Sequence, residues 1–297
     1  MSLRLSALIF WLRQVERPAI VSITDPDKAR NRMERQARWF ARLPRGTSST
    51  WSGLGGVPAL RIAPPDPRRP GTILFFHGGA YVFGSPRTHA AMLARIAART
   101  GLTAVLPGYR LAPEHPFPAA VDDALTAYRA LLETTADPVV LGGDSAGGGL
   151  VLALLARIVA LGLPKPALTL ALSPWTDLTL SGASLTTNAR PESFLPAERL
   201  PELRDIYLCG ADPADPAASP LLADFTGATP VAIWVGSTEI LRDDSRRMVA
   251  RLQAQGVQAT LTEAPRHPHV WPMFAPFLPE ANATLDDIAA RIAVALT

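Results

Sequence analysis

A serine with a glycine two residues to either side, Gly143-Asp144-Ser145-Ala146-Gly147, stands between a short apolar run ending at Leu141 and a longer one reaching Leu161. This is the G-x-S-x-G pattern of a nucleophile elbow, a strained strand-to-helix turn that lifts the serine hydroxyl above a sheet. The turn crowds the positions two before and two after the serine, so neither can carry a side chain. The chemistry on offer is covalent acyl transfer, which needs a base to take the hydroxyl proton and an acid to orient that base. Phosphate binding fits poorly. Gly149 leads into Leu150 with no lysine nearby, and Ser145 occupies the second glycine of a dinucleotide fingerprint.

Partners for the serine lie where a parallel sheet would put them, just past other apolar runs. His77-Gly78-Gly79-Ala80 follows Phe76, and its glycines let backbone amides turn toward an oxyanion. Glu239 follows Val231–Val235 after three intervening residues, ahead of Asp243 and Asp244. His267 and His269 follow the final apolar run. Serine, acid, histidine is the chain order of the α/β-hydrolase triad. Asp243 and Asp244 stand where a helix begins, and capping its free amides explains them. Glu239 is therefore the favoured acid and Asp243 the alternative. His77, His89 and His115 all precede the acid, so the chain order argues against them as the base; His77 suits bracing of the glycine loop and His115 a turn.

The elements that must position these residues alternate in type. From Thr72 the pattern predicts strands at 72–76, 103–106, 138–141, 168–172, 231–235 and 259–262, separated by helices at 88–100 and 119–133, by one running from the glycine turn at 142–149 through 161 and by one at 243–255, and closed by a helix at 279–296. That alternation implies a mostly parallel sheet covered on both faces. Ahead of it, residues 2–16 and 26–42 read as helices, the second opened by Asp25-Pro26-Asp27, and 44–52 as a loop before a strand at 60–63. Phe10, Trp11, Trp39 and Phe40 on the leading helices call for something to cover. An irregular stretch at about 181–222, with its own helix at 197–209, is where an insertion would sit.

These motifs together resemble the hormone-sensitive-lipase-like (family IV) esterases. The likeness runs through His77-Gly78-Gly79, Tyr109-Arg110-Leu111-Ala112-Pro113-Glu114-His115-Pro116-Phe117-Pro118-Ala119 and Gly143-Asp144-Ser145-Ala146-Gly147-Gly148, and covers the chain from about Gly71 onward. It implies an α/β-hydrolase core at 46–297, a cap built from residues 1–45 and the segment at about 181–222, and hydrolysis of short to medium acyl esters. Ser145 would be the nucleophile, and the amides of Gly78, Gly79 and Ala146 would hold the oxyanion. His269 is favoured over His267 because its separation from Glu239 and its His-Val-Trp setting resemble the family's. Two positions depart from the family pattern: Ala80 replaces the last glycine of His-Gly-Gly-Gly, and Glu239 stands where the family usually carries aspartate. Candidate pocket residues are Tyr81, Val82, Phe83, Trp175, Phe194, Leu195, Ile240, Val270 and Trp271, each also readable as core. A lactone hydrolase on the same triad is the alternative, and a receptor that has lost catalysis a more distant one. A homodimer is common among relatives of this type.

Composition excludes other classes. In 297 residues, 29 basic and 26 acidic side chains leave a net charge of only +3, and Lys28 and Lys165 are the only lysines. The scattered arginines read as solvated helix faces rather than a nucleic-acid footprint. The histidines lack metal-ligand spacing, and the triad needs neither metal nor cofactor. Cys209 is the only cysteine, so no internal disulfide is expected and a cytoplasmic location fits. The apolar run from Leu3 to Leu12 is too short to span a bilayer and reads as an amphipathic helix that could touch a membrane surface.

Overall fold

The central predicted strands are apolar on both faces, and the computed structural model buries every residue of β3 (Thr72–Phe76), β5 (Val139–Asp144), β6 (Leu168–Leu172) and β7 (Val231–Gly236). With β1 (Ser48–Leu54), β2 (Val57–Ala63), β4 (Thr103–Pro107) and β8 (Ala259–Ala264) they form one sheet in the order β1-β2-β4-β3-β5-β6-β7-β8. The pairs from β4 to β8 are parallel, and β2 runs antiparallel to both β1 and β4. The structure describes residues 2–40 and 42–297, and all side chains among them except those of 38–40. The side chains of Trp39 and Phe40 thus lie outside the described residues.

Alternate residues of each strand feed two cores. Leu74, Phe76, Val139, Leu141, Val231 and Ile233 pack with α5 (Ala119–Thr134), α6 (Ala146–Ala160) and α9 (Arg242–Ala254). On the other face Ile73, Phe75, Val140, Ala232 and Trp234 pack with α4 (Pro86–Thr100) and α10 (Pro279–Ala295). This two-sided burial is what continuous apolar strands demand. Between β6 and β7 the chain carries only α7 (Ser184–Thr187), α8 (Leu200–Leu208) and two 3-10 turns.

Two expectations change at the N-terminus. Pro18 does not end the first helix: α1 (Leu3–Trp11) widens into a π turn at Leu12–Glu16 and continues as α2 (Arg17–Ser22). Proline lacks an amide hydrogen and crowds the carbonyl four residues back, and a widened turn lets the helix pass it. The loop expected at 44–52 contains β1, whose residues are exposed up to Leu54. An edge strand facing water needs no apolar alternation, so the pattern left no trace of it. Asp25 caps α3 (Pro26–Phe40) as expected, its Oδ1 accepting from the Asp27 and Lys28 amides at 2.9 and 3.3 Å.

Candidate active site

Ser145 joins β5 to α6 at φ 53°, ψ −122°, a conformation that L-residues rarely adopt. Only glycines permit the turn around it. A methyl group at Gly143 would strike the Gly147 carbonyl, and one at Gly147 the carbonyls of Phe76 and His77. Ala146 is the first residue of α6, so its amide has no intrahelical acceptor.

Beyond β8, His269 is 3% exposed and its Nδ1 lies 2.7 Å from Glu239 Oε2. The second carboxylate oxygen accepts from the Gly236 amide and, at 2.8 Å, from Ser173 Oγ, which itself accepts from the Val270 amide at 3.2 Å. A carboxylate held on one oxygen by two donors keeps the other fixed on the imidazole. Nδ1 then carries the proton, and Nε2, buried and without a partner among the described residues, is the nitrogen left free to accept one. Burial alone would push the His269 pKa down, but the bond to Glu239 and the charges of Glu239, Glu192 and Asp144 outweigh it and raise it above 6.5. His269 and Ser145 line one cavity of about 800 Å³.

Asp243 and Asp244 turn away from the imidazole. The first accepts from the Ser184 amide at 2.8 Å, and the second from the amides of Thr176 and Asp177 at 2.8 and 3.0 Å. Their bonds are those of braces between the β6–β7 connection and the start of α9. His267 has its Nδ1 on the Pro265 carbonyl at 2.9 Å rather than on a carboxylate.

The glycine loop requires a correction. The Gly78 amide is committed to Asp144 Oδ1 at 3.1 Å, so it does not face the cavity as a free donor. Asp144 in turn sits 3.1 Å from His89 Nε2. Among the described residues, the amides of Gly79 and Ala80 donate to no protein acceptor, and these residues line the cavity. Ala80 holds φ 52°, the left-handed region in which a glycine is the usual choice. His77 stacks on Tyr109 with centroids 4.4 Å apart, and its carbonyl accepts from the Tyr109 hydroxyl at 2.7 Å. Burial lowers its pKa to about 3, so it stays neutral and braces the loop.

Of the pocket candidates, Phe83, Trp175, Phe194, Leu195 and Val270 line the cavity. Tyr81, Val82, Ile240 and Trp271 do not; all four are buried in the protein. Tyr81 stacks on Tyr207 at 3.8 Å, and the Trp271 indole donates to Thr284. Trp11 lines the cavity, whereas Phe10 is 68% exposed. Three residues went unread in the sequence. Glu192, 1% exposed, accepts from the Phe194 and Ile240 amides at 2.8 and 3.1 Å, and Asn188 donates to the Glu239 carbonyl at 2.8 Å. Ser173 bridges Glu239 to the residue after His269. Only Ser173 left a signal, its place one residue past a predicted strand.

A family model described as alpha/beta hydrolase fold matches residues 73–273. The chain is 42% identical over 217 residues to an acetyl-hydrolase of Streptomyces hygroscopicus, covering 72% of this chain and 73% of that protein. It is 37% identical over 220 residues to an esterase of Acinetobacter venetianus, covering 73% of each. Among solved structures, an esterase from the bacterial hormone-sensitive lipase family superposes with a TM-score of 0.95 at 40% identity, over 100% of this chain and 99% of that one. EstE5, soaked by p-nitrophenyl butyrate, gives a TM-score of 0.94 at 36% identity over 100% and 99% of the two chains. The chain belongs to the alpha/beta hydrolase fold family, in its bacterial hormone-sensitive lipase branch, and is an esterase. Among the described residues, no helix is long and apolar enough to cross a membrane.

Proposed function

We propose that the chain is a serine carboxylesterase whose triad is Ser145, His269 and Glu239 and whose reaction passes through an acyl-enzyme. The observation that carries this reading is the 2.7 Å bond from His269 to Glu239, with the unpartnered Nε2 on the cavity that Ser145 lines. Ser145 Oγ attacks the ester carbonyl as its proton passes to His269 Nε2. The carbonyl oxygen becomes an oxyanion, for which the free amides of Gly79, Ala80 and Ala146 are the donors. A preorganised donor of this kind is worth about 2.7–4 kcal/mol. His269 then returns the proton to the departing alcohol oxygen. Water enters by the same route in reverse: it attacks the acyl carbonyl, gives its proton to Nε2, and Ser145 recovers that proton as the acid leaves. Glu239 keeps the imidazole in the needed tautomer and stabilises the imidazolium throughout.

The helices up to about residue 45 and the segment at about 181–222 act as the cap in this reading, because both contribute walls to the cavity above Ser145. A space of about 800 Å³ suits short to medium acyl esters. A lactone presents the same carbonyl to the same groups, and no feature of the cavity favours it. With a single cysteine and no disulfide to form, the cytoplasm is the compartment this reading assigns.

The test is hydrolysis of p-nitrophenyl esters from acetate to long acyl chains, with Ser145→Ala and Glu239→Gln alongside. Loss of turnover in Ser145→Ala and a fall of about 10³–10⁴ in kcat for Glu239→Gln are expected. Full activity in Glu239→Gln would remove Glu239 from the triad. A wild type silent on every ester, lactones included, would remove the catalytic reading.

A further inference from the structure

Far along the helix from Ser2, a carboxylate stands in a largely apolar wall. Leu5, Leu12 and Glu16 recur at helical spacing on one face; the two leucines are fully buried and Glu16 is 5% exposed. Glu16 lines the same cavity as Ser145, among Leu8, Ile20, Ile23 and Met33. Its Oε1 accepts from Arg32 Nη2 at 2.8 Å and from Gln36 Nε2 at 2.9 Å, both on α3. Its Oε2 meets no donor among the described residues.

An alkyl chain filling this end of the cavity would strip water from a carboxylate oxygen and give nothing back, which is costly for a charged acceptor. A hydroxyl there would donate to it. Charge narrows the choice further. Arg4, Arg32 and Arg199 line the same cavity and oppose a cationic group. The Arg32 charge is already balanced by Glu16, whose second oxygen would repel an anion. We infer that the Glu16–Arg32–Gln36 cluster is a recognition site for a neutral hydroxyl at the far end of the ester, making the preferred substrates hydroxylated esters rather than plain alkyl ones. The inference rests on the esterase reading and names the substrate class of that same cavity.

Two matched series test it with wild-type protein: p-nitrophenyl ω-hydroxyalkanoates of six to twelve carbons against alkanoates of equal heavy-atom count, and α,ω-alkanediol monobutyrates against alkyl butyrates. The expected result is a kcat/KM ratio of hydroxy to alkyl ester of about 10-fold or more at one chain length in one series, the size of a hydrogen bond to a charged group. Glu16→Leu/Arg32→Met removes both charges together, leaving neither buried alone, and the ratio should fall to about 1 or below. Circular dichroism shows whether the pair variant folds, and the wild-type ratios are read without it. Hydrolysis of both members of each pair with no wild-type preference overturns this inference alone, as does a preference that the folded double variant keeps. Hydrolysis of neither overturns the esterase reading and this inference with it.

Discussion

Three negative groups face the imidazole of His269, and they differ in what they do for it. Glu239 bonds it directly, Asp144 lies across the serine turn, and Glu192 contributes charge while its oxygens hold the amides of Phe194 and Ile240. Burial first, and the neighbouring Glu239 next, raises the Glu192 pKa. Because the proposed base must be neutral to accept a proton, kcat/KM should climb with pH through a pKa above 6.5, the ordinary value for histidine. Removing a negative neighbour destabilises the imidazolium and lowers that pKa. Glu192→Gln should therefore move the acid limb of the kcat/KM profile to lower pH, with a modest loss in kcat. A limb that stays put while kcat falls would make Glu192 a brace of the acid loop and nothing more. Helix capping, the reason for setting Asp243 and Asp244 aside, is not what they do: α9 has no side-chain cap, and both carboxylates accept amides of the β6–β7 connection. The Gly78 assignment failed because a sequence cannot say which of two adjacent amides is already spent, and the spender, Asp144, lay inside the serine motif itself.

At the level of elements, the parallel strands and the helices between them were legible because burial on both faces leaves continuous apolar runs of strand length. What escaped was structure that burial does not write: the exposed edge strand β1 and the π turn before Pro18. Docking of α3 on the core was equally hidden, since it depends on Arg30. Its guanidinium donates to both oxygens of Glu114 at 2.7 Å and to the carbonyls of Val82 and Ala112 at 2.9 and 2.8 Å. The tyrosine-to-alanine motif at 109–119 thus serves as the seat of α3. The bond to Arg30 is the main reason that the Glu114 pKa drops to about 2 from 4.5. A depressed carboxylate pKa contributes stability that is present above the unfolded value of about 4.5 and is lost as pH falls through about 2. Glu114 is half exposed, so solvent screening keeps the ion pair itself small. Arg30→Ala, which also leaves two carbonyls without their donor, should cost about 1–2 kcal/mol. Hydrogen exchange should quicken in α3 ahead of the sheet; uniform protection across α3 in the variant would show that its docking lies elsewhere.

Across the whole molecule, the proposed triad and one wall of the cavity come from separable parts of the chain. Ser145, Glu239 and His269 follow β5, β7 and β8, and among the described residues the bonds that hold Glu239 and His269 come from 173–270. Leu8, Trp11, Ile20, Ile23 and Met33, which close the cavity from the other side, all precede residue 42. The two parts are tied by Ser2 to Glu280, Arg13 to the Pro191 carbonyl and Arg199 to the Val21 carbonyl. Removing residues 1–42 should therefore leave the geometry of the proposed triad in place while opening one wall of the cavity to water. The burial that Leu5 and Leu12 contribute, about 1.5–3 kcal/mol each, is removed along with them, so the melting midpoint should fall. Against p-nitrophenyl esters the truncated protein should retain turnover of acetate yet lose the rise in kcat/KM that a longer acyl chain gains from an apolar wall. Relative rates identical to wild type at every chain length would mean that these helices shelter the core without selecting the substrate. A truncated protein that keeps its fold by circular dichroism yet turns over no ester would mean that the N-terminal helices hold the triad itself.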